Sequence, residues 1–374
     1  MGHRRGAAVG FQLSLLEGGD AVALAALLPR IDIKYRPVWE KLPPREALAL
    51  ARYFLPSRST RKWLAPTRPH VLKWYCPFAD QKHFASGHRY CINVYAGLCA
   101  HRCAYCYAAA YQRGEAHAKT DFRKSLERDL DALEAFDVPR APVHLSNSTD
   151  PLQPLERTCG DTLYALRVLG RHRARFATIA LLTKNPILAA EPEYLAALDA
   201  LGPGAHVEVS LAFLDEDACR VFDPGAPPAA ERIRGLRALR AAGVPVVLRV
   251  DPLLPRSPLP GARRSLADFG LPEAQPPEDL ERIVGLGAEV GVTRIVWSVA
   301  KLGPSRTGPA SQALQVLRRL YESMAAPGRL EWRSGSYRLP ERIARPLIVE
   351  PFLEICARHG VDASFCAHHL LRTL

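Results

Sequence analysis

Asn93-Val94-Tyr95-Ala96-Gly97-Leu98-Cys99-Ala100-His101-Arg102-Cys103-Ala104-Tyr105-Cys106-Tyr107 is the stretch on which the reading of this 374-residue chain turns. Its cysteines are spaced C-x3-C-x2-C and follow a strand-length apolar run, Cys91–Tyr95, that ends at Gly97. Nine cysteines occur in all: Cys76, Cys91, Cys99, Cys103, Cys106, Cys159, Cys219, Cys356 and Cys366. The number is odd and only this trio is tightly grouped, which reads as metal binding rather than a disulfide framework.

Five further apolar runs follow: Val143–Ser146, Phe176–Leu182, His206–Leu211, Val246–Val250 and Arg294–Val299. All are strand-length and rich in β-branched or aromatic residues. Helical patterns alternate with them at Lys119–Phe136, Thr162–Leu169, Glu193–Leu201, Ala229–Ala242, Asp279–Val290 and Ser311–Met324. In the first, Phe122, Leu126, Leu130 and Leu133 recur at helical spacing; Gly243 and Gly291 supply stop signals for two others. Serial βα units predict an α/β fold with a parallel sheet and helices outside it. A closed eight-stranded barrel needs two more units, which the flanks do not offer. The expectation is therefore an incomplete (β/α)6 TIM-like barrel, with an open doubly wound sheet as the alternative. Residues 86–326 form this core, 1–85 an N-terminal extension with a helix near Pro44–Tyr53, and 327–374 a C-terminal extension with a helix near Arg345–His359. The Pro- and Arg-rich segment Asp251–Asp279 is too long for an ordinary βα connection and reads as a functional loop at the barrel mouth.

A cubane iron–sulfur cluster normally takes four thiolates. Cys99, Cys103 and Cys106 can hold three irons of a [4Fe–4S] cluster and leave the fourth open to an amino-carboxylate such as the methionyl end of S-adenosylmethionine (SAM). Electron transfer into the sulfonium then breaks a C–S bond and releases a 5′-deoxyadenosyl radical, chemistry that belongs to the cofactor while the protein positions it. The rival is a structural zinc site, which wants a fourth Cys or His at short spacing. His101 is badly placed to join the same tetrahedron; Cys91 or Cys76 are the other choices. Cys76 and Cys91, or Cys356 and Cys366 with His359, His368 and His369, lack tight ligand spacing and read as ordinary thiols.

The motif resembles the signature of the radical-SAM superfamily, in which an aromatic, here Tyr105, precedes the third cysteine. Further landmarks are similar to the spore photoproduct lyase-like (DNA repair photolyase-like) group. They are Asn93-Val94-Tyr95-x-Gly97, Cys106-Tyr107-Ala108, Ser148-Thr149-Asp150-Pro151-Leu152-Gln153-Pro154-Leu155-Glu156, Leu182-Thr183-Lys184-Asn185, Val209-Ser210, Phe222-Asp223-Pro224 with Glu231-Arg232, and Val250–Pro255. They fall at successive predicted strand ends between about Asn93 and Ser298. The resemblance implies that Tyr105 lies beside the SAM adenine, that Ser148 and Thr149 meet the SAM amino or carboxylate group, that Lys184 pairs with its carboxylate, and that Ser210 bonds the ribose or methionyl part. Taken singly, a Ser-Thr-Asp run is a common helix cap and Thr-Lys-Asn-Pro a common turn. Tyr107 stands where the lyase has a tyrosine implicated in radical transfer; packing beside the cluster is its plainer role. The lyase's hydrogen-donating cysteine is matched here by Asn147, whose amide cannot donate a hydrogen atom, so genuine spore photoproduct reversal is not expected. The resemblance also implies a reductant such as flavodoxin or ferredoxin.

The formal charge of +12 favours polyanionic partners, although the excess is spread along the chain. Nucleic acid is thus one candidate substrate class, beside protein side chains and small metabolites, and the basic loop Arg256–Arg264 suits a base taken out of its stack. No apolar run approaches the ~18 residues of a membrane span, and no clean export signal follows Met1, so a cytoplasmic location is expected. The reading of a different class is a non-catalytic Fe–S or zinc protein that binds nucleic acid through its basic surface. Substrate, electron donor and oligomeric state are not legible.

Overall fold

The computed structural model describes residues 26, 29, 44–54, 71–74, 90–135, 140–146, 148–255, 265–302, 309–324, 330–333 and 336–366. All six apolar runs are strands of one eight-stranded sheet: β1 (Leu72–Trp74), β2 (Tyr90–Ile92), β3 (Ala141–Leu145), β4 (Phe176–Thr183), β5 (Ala205–Ser210), β6 (Val246–Leu253), β7 (Arg294–Val299) and β8 (Asp362–Phe365). Their spatial order is their order in the chain. From β2 onward every pairing is parallel, and β1 joins β2 antiparallel. A doubly wound sheet reverses its order at a switch point; this one does not. With right-handed crossovers, such a monotonic order sends the helices to one face and curls the sheet toward the other. The chain is thus a mixed α/β fold with a partial, barrel-like sheet.

The flanks supply more than expected. β1 lies in the region read as the 1–85 extension and β8 in the 327–374 extension, so the sheet runs past both sides of the 86–326 core. Strands of three and four residues carry too little pattern to be read beforehand.

Register separates the two faces. One face carries Ile92, Val143, Leu145, Ile179, Leu181, Val207, Val209, Leu248, Val250 and Ile295, all buried in the main core under the helices. These runs are rich in Val, Ile and Leu, as a covered parallel sheet demands. The other face carries Cys91, His144, Ala180, His206, Glu208, Arg249 and Ser364, with a small separate apolar group of Val247, Val296 and Cys366. The predicted helices are present at Phe122–Ala135, Asp161–Arg171, Pro192–Ala200, Ala229–Ala241, Pro277–Glu289 and Pro309–Met324, with Pro44–Phe54 and Glu350–Arg358 in the flanks. Among the described residues no helix is long and apolar enough to cross a membrane.

Glu156 locks the base of this scaffold. It is 1% exposed and accepts from the backbone N–H groups of Thr162 (2.9 Å) and Leu163 (3.0 Å), satisfying donors at the start of the Asp161–Arg171 helix. It also accepts from the Tyr194 hydroxyl at 2.6 Å and from the Tyr95 hydroxyl. Removing a buried carboxylate that serves four donors leaves all four unpaired, so Glu156→Ala is expected to cost about 3–5 kcal/mol. Urea unfolding of the purified variant measures this, and a loss below about 1 kcal/mol would contradict it.

Candidate active site

The three cysteines occupy the tip of a short ribbon. Tyr95–Ala96 pairs antiparallel with His117–Ala118, and Leu98 N bonds Gly114 O at 2.9 Å. Gly97 makes this closure possible: its φ is +78°, and a Cβ there would stand 2.0 Å from Glu115 O. The loop then takes two successive tight turns, Arg102 N to Cys99 O and Cys106 N to Cys103 O, both 3.1 Å. Cys99, Cys103 and Cys106 are half-buried, and each lies within electrostatic reach of the others. Burial, with Asp150 nearby, pushes the Cys99 thiol up to about 12; burial and Asp223 raise Cys103 well above the ordinary thiol value. Both ring nitrogens of His101, 1% exposed, are engaged elsewhere, Nδ1 2.9 Å from Gly225 O and Nε2 3.2 Å from Asp150 Oδ2. The side chains that the loop groups together are therefore all sulfur donors, the type that suits iron–sulfur chemistry. No three His, Cys, Asp or Glu side chains among the described residues converge on a single-ion site; a cubane instead asks each sulfur for its own iron.

The loop is stitched to the end of β3 over about fifty residues of sequence. Ser148 N donates to Asn93 Oδ1 (3.1 Å) and Asn93 Nδ2 to Ser148 Oγ (3.4 Å). Thr149 Oγ1 donates to Tyr95 O (3.4 Å), and Asp150 N to Cys99 Sγ (3.4 Å). Ala100 N donates to the buried Gln153 Oε1 at 2.9 Å. Asp150 carries this seam to β4, accepting from Thr183 Oγ1 (2.8 Å) and Lys184 N (2.6 Å). Burial opposes its ionisation, but His101 and these donors outweigh that and hold its carboxyl below the usual carboxylate range.

A second cluster brings together Tyr105, Lys184 and Ser210. Lys184 Nζ lies 2.8 Å from Tyr105 Oη, 3.0 Å from Ser210 Oγ and 3.1 Å from Asp223 Oδ2. Asp223, 1% exposed, also accepts from the Tyr105 hydroxyl, from the Cys103 thiol and from Arg232 Nη1 at 2.9 Å. Arg232 is itself fully buried, its Nε bonded to Pro227 O at 2.7 Å. Despite burial, Lys184 and Arg232 hold the Asp223 carboxyl far below its ordinary range, while burial and Asp223 push the Tyr105 phenol up.

Tyr107 bonds Tyr111 side chain to side chain, and Tyr111 Oη lies 2.9 Å from Ser148 Oγ. Lys301 Nζ sits 6.0 Å from the Tyr107 ring centroid. Deeper on the inner face, Glu208 accepts from Arg249 Nη1 (2.5 Å), with His144 Nε2 and His206 Nε2 each 3.4 Å from its oxygens. Arg249 Nη2 reaches Asp251 Oδ2 (2.7 Å) and Cys366 Sγ (2.9 Å), and Ser298 Oγ donates to Asp251 at 2.5 Å. A cavity of about 630 Å³ is lined by Asp215, Glu216 and Arg282 together with Glu273 and Asp279 of the long segment read as a functional loop, and by none of the candidate cysteine-loop or SAM-site residues.

The structure thus gathers Tyr105, Lys184 and Ser210 in one group, and sets Ser148 and Thr149 in the seam beside the cysteine loop. Asp150, Gln153, Asp223 and Arg232 were visible only as landmarks, without roles. Gly225 and the Glu208–Arg249 network were not visible at all. Their partners lie up to 124 residues away, and no local pattern signals the long-range ones. Asn147 and the basic loop Arg256–Arg264 lie outside the described residues.

The cysteine loop at the mouth of a curled parallel sheet, with polar side chains converging at its strand ends, defines a class. Residues 93–257 match the domain model of the radical SAM superfamily, and a catalytic domain of that kind supports enzymatic activity of this general class. Uncharacterized proteins of Mycobacterium tuberculosis and Mycobacterium bovis are each 28% identical over 284 residues, covering 70% of this chain and 74% of theirs. Among solved structures, spore photoproduct lyase complexed with dinucleoside spore photoproduct superposes at a TM-score of 0.50 and 14% identity, over 81% of each chain. A mutant of that lyase gives 0.50 over 74% of this chain and 76% of its own, also at 14% identity. At that identity the likeness speaks for the fold.

Asp223 makes the site acid-sensitive in a defined direction. Because its folded value is depressed, its contribution to stability is fully present above the unfolded value of ~3.9 and is lost as pH falls toward the folded one. The stability difference between the wild type and Asp223→Asn is expected to be flat from neutral pH to about 5 and to shrink below ~4. Urea titrations across that range test it; a difference that grows on acidification would refute the assignment.

Proposed function

We propose that this chain holds a [4Fe–4S] cluster on Cys99, Cys103 and Cys106 and, with SAM, performs radical chemistry within the (β/α)6-type core at 86–326. When bound, the cluster and SAM together supply a 5′-deoxyadenosyl radical. The observation that carries the reading is the convergence of an all-sulfur loop with Tyr105, Lys184 and Ser210 at adjoining strand ends.

The residues divide the work of holding the co-substrate. Tyr105 offers an aromatic face to an adenine, its phenol fixed by Asp223. Lys184 offers the cation for a carboxylate. Its three donors already face Tyr105, Ser210 and Asp223, so an incoming carboxylate replaces the neutral Ser210 contact more cheaply than the ionic one to Asp223. Ser210, once released, is available to a ribose or methionyl oxygen. Ser148 and Thr149 face an amino or carboxylate group from the other side of the loop. Tyr107 stands beside the cluster loop, joined through Tyr111 to Ser148.

The substrate class is open. Net charge of +12 favours a polyanion such as nucleic acid. The amide at Asn147 argues against thymine-dimer reversal of the spore photoproduct kind. Electrons for the cluster would come from a flavodoxin- or ferredoxin-like protein, and the location we assign is cytoplasmic. A non-catalytic metal protein that binds nucleic acid is the competing reading. The polar groups gathered around Lys184 speak against it, since a purely structural cluster needs no such group.

Anaerobic reconstitution with iron and sulfide, followed by SAM and dithionite, separates the two. The proposal expects 5′-deoxyadenosine from the wild type, none from Cys103→Ala, and a rise in the KM for SAM of about tenfold or more for Lys184→Met, with cluster absorbance retained. Zinc in place of iron, or SAM left intact by a fully loaded protein, would refute it.

A further inference from the structure

Phe222–Gly225 touches the cysteine loop at every turn, although it lies more than a hundred residues away. Ala104 N donates to Phe222 O at 2.8 Å, and Gly225 N donates to His101 O at 2.9 Å. His101 Nδ1 stands 2.9 Å from Gly225 O, so residues 101 and 225 are joined by two bonds. Between these contacts the Tyr105 hydroxyl donates to Asp223. The approach is so close that only glycine fits at 225. A Cβ there would lie 2.2 Å from Ala100 O and 2.9 Å from the His101 Cα, both main-chain atoms that cannot swing aside.

The cradle is itself anchored. Asp223 is tied to Arg232 and Lys184, and Arg232 Nε holds Pro227 O just beyond the turn. A main-chain ladder would suffice to close a loop. A buried ion cluster behind it, which costs desolvation, does something further: it fixes where the ladder stands.

We infer that Phe222–Gly225 is a preformed cradle that holds the three-cysteine loop in its ligating shape before metal arrives, with Asp223 the positioning residue that joins the loop to Lys184. The inference deepens the radical-SAM reading and rests on it. Pre-ordering matters because a mobile loop loses conformational freedom when it is fixed, and that loss weakens metal binding. A cradle that is already folded removes the loss. It also sets Tyr105 and Lys184 in fixed register with the cysteines, so that one co-substrate can meet all of them at once.

The test uses the full-length metal-free protein and two readouts besides turnover. The first is the alkylation rate of Cys99, Cys103 and Cys106, followed by mass spectrometry of their peptide; the second is iron and sulfide content after a fixed reconstitution. Gly225→Ala should speed alkylation by about tenfold, as a loop that opens more readily does, and lower iron content under limiting iron. Asp223→Asn should move both readouts the same way by a smaller factor, and serves if Gly225→Ala does not fold. Gly243→Ala is the control, since Gly243 has a φ of +78° but open space around its Cβ position. It stresses the backbone without touching the cysteine loop. Alkylation rates unchanged in both variants, or raised equally in the control, would overturn the cradle. A wild type that takes up no iron would overturn the cluster reading instead, while the alkylation comparison still decides on the cradle.

Discussion

The arrangement depends on one buried carboxylate. Asp223 ends the short Glu216–Phe222 helix, yet it meets a guanidinium from the following helix, an ammonium from the end of β4, and a phenol and a thiol from the cysteine loop. Removing a carboxylate from water is costly, and one partner rarely makes up the loss. Two cations and a phenol do so here, which accounts for a folded value held down against strong burial. The consequence is geometric: three chain segments that share no sequence neighbourhood have only one way to satisfy this group together.

The sheet places those segments. Strand order that follows the chain sets the ends of β2, β3, β4 and β5 side by side in sequence order, so the loop after each strand meets the loop after the next. That explains the seam. Asn93, Tyr95 and Cys99 run along one edge, Ser148, Thr149 and Asp150 along the other, bonded in matching order. Asp150 then passes the contact on to Thr183 and Lys184. A doubly wound sheet would have split these ends at its switch point.

Much of this was legible beforehand, for physical reasons. Strands buried on one face and polar on the other announce themselves as runs of Val, Ile and Leu, and cysteine spacing within one loop is a local property. β1 and β8 escaped because three or four residues cannot establish a period. Lys184 was legible as a candidate cation, but its engagement with Asp223 was not. Asn185 shows the opposite case. It accepts from Leu188 N and caps the short Pro186–Ala189 helix, the ordinary turn role such a residue suggests, one position from a lysine that does something else.

The inner face carries a further implication. A sheet interior filled only for stability would be apolar, as the outer face is. Instead Glu208, Arg249, Asp251 and Ser298 form a bonded chain across three strands, with two histidines against Glu208 and the Cys366 thiol against Arg249. Apolar residues of similar volume would hold such an interior as well or better. Bonds among its own side chains, not apolar packing alone, therefore hold this face. The ion pairs keep each donor and acceptor aimed in a fixed direction. The cysteine loop and the inner face then have different characters: soft thiol sulfurs in the one, and fixed dipoles of both signs in the other.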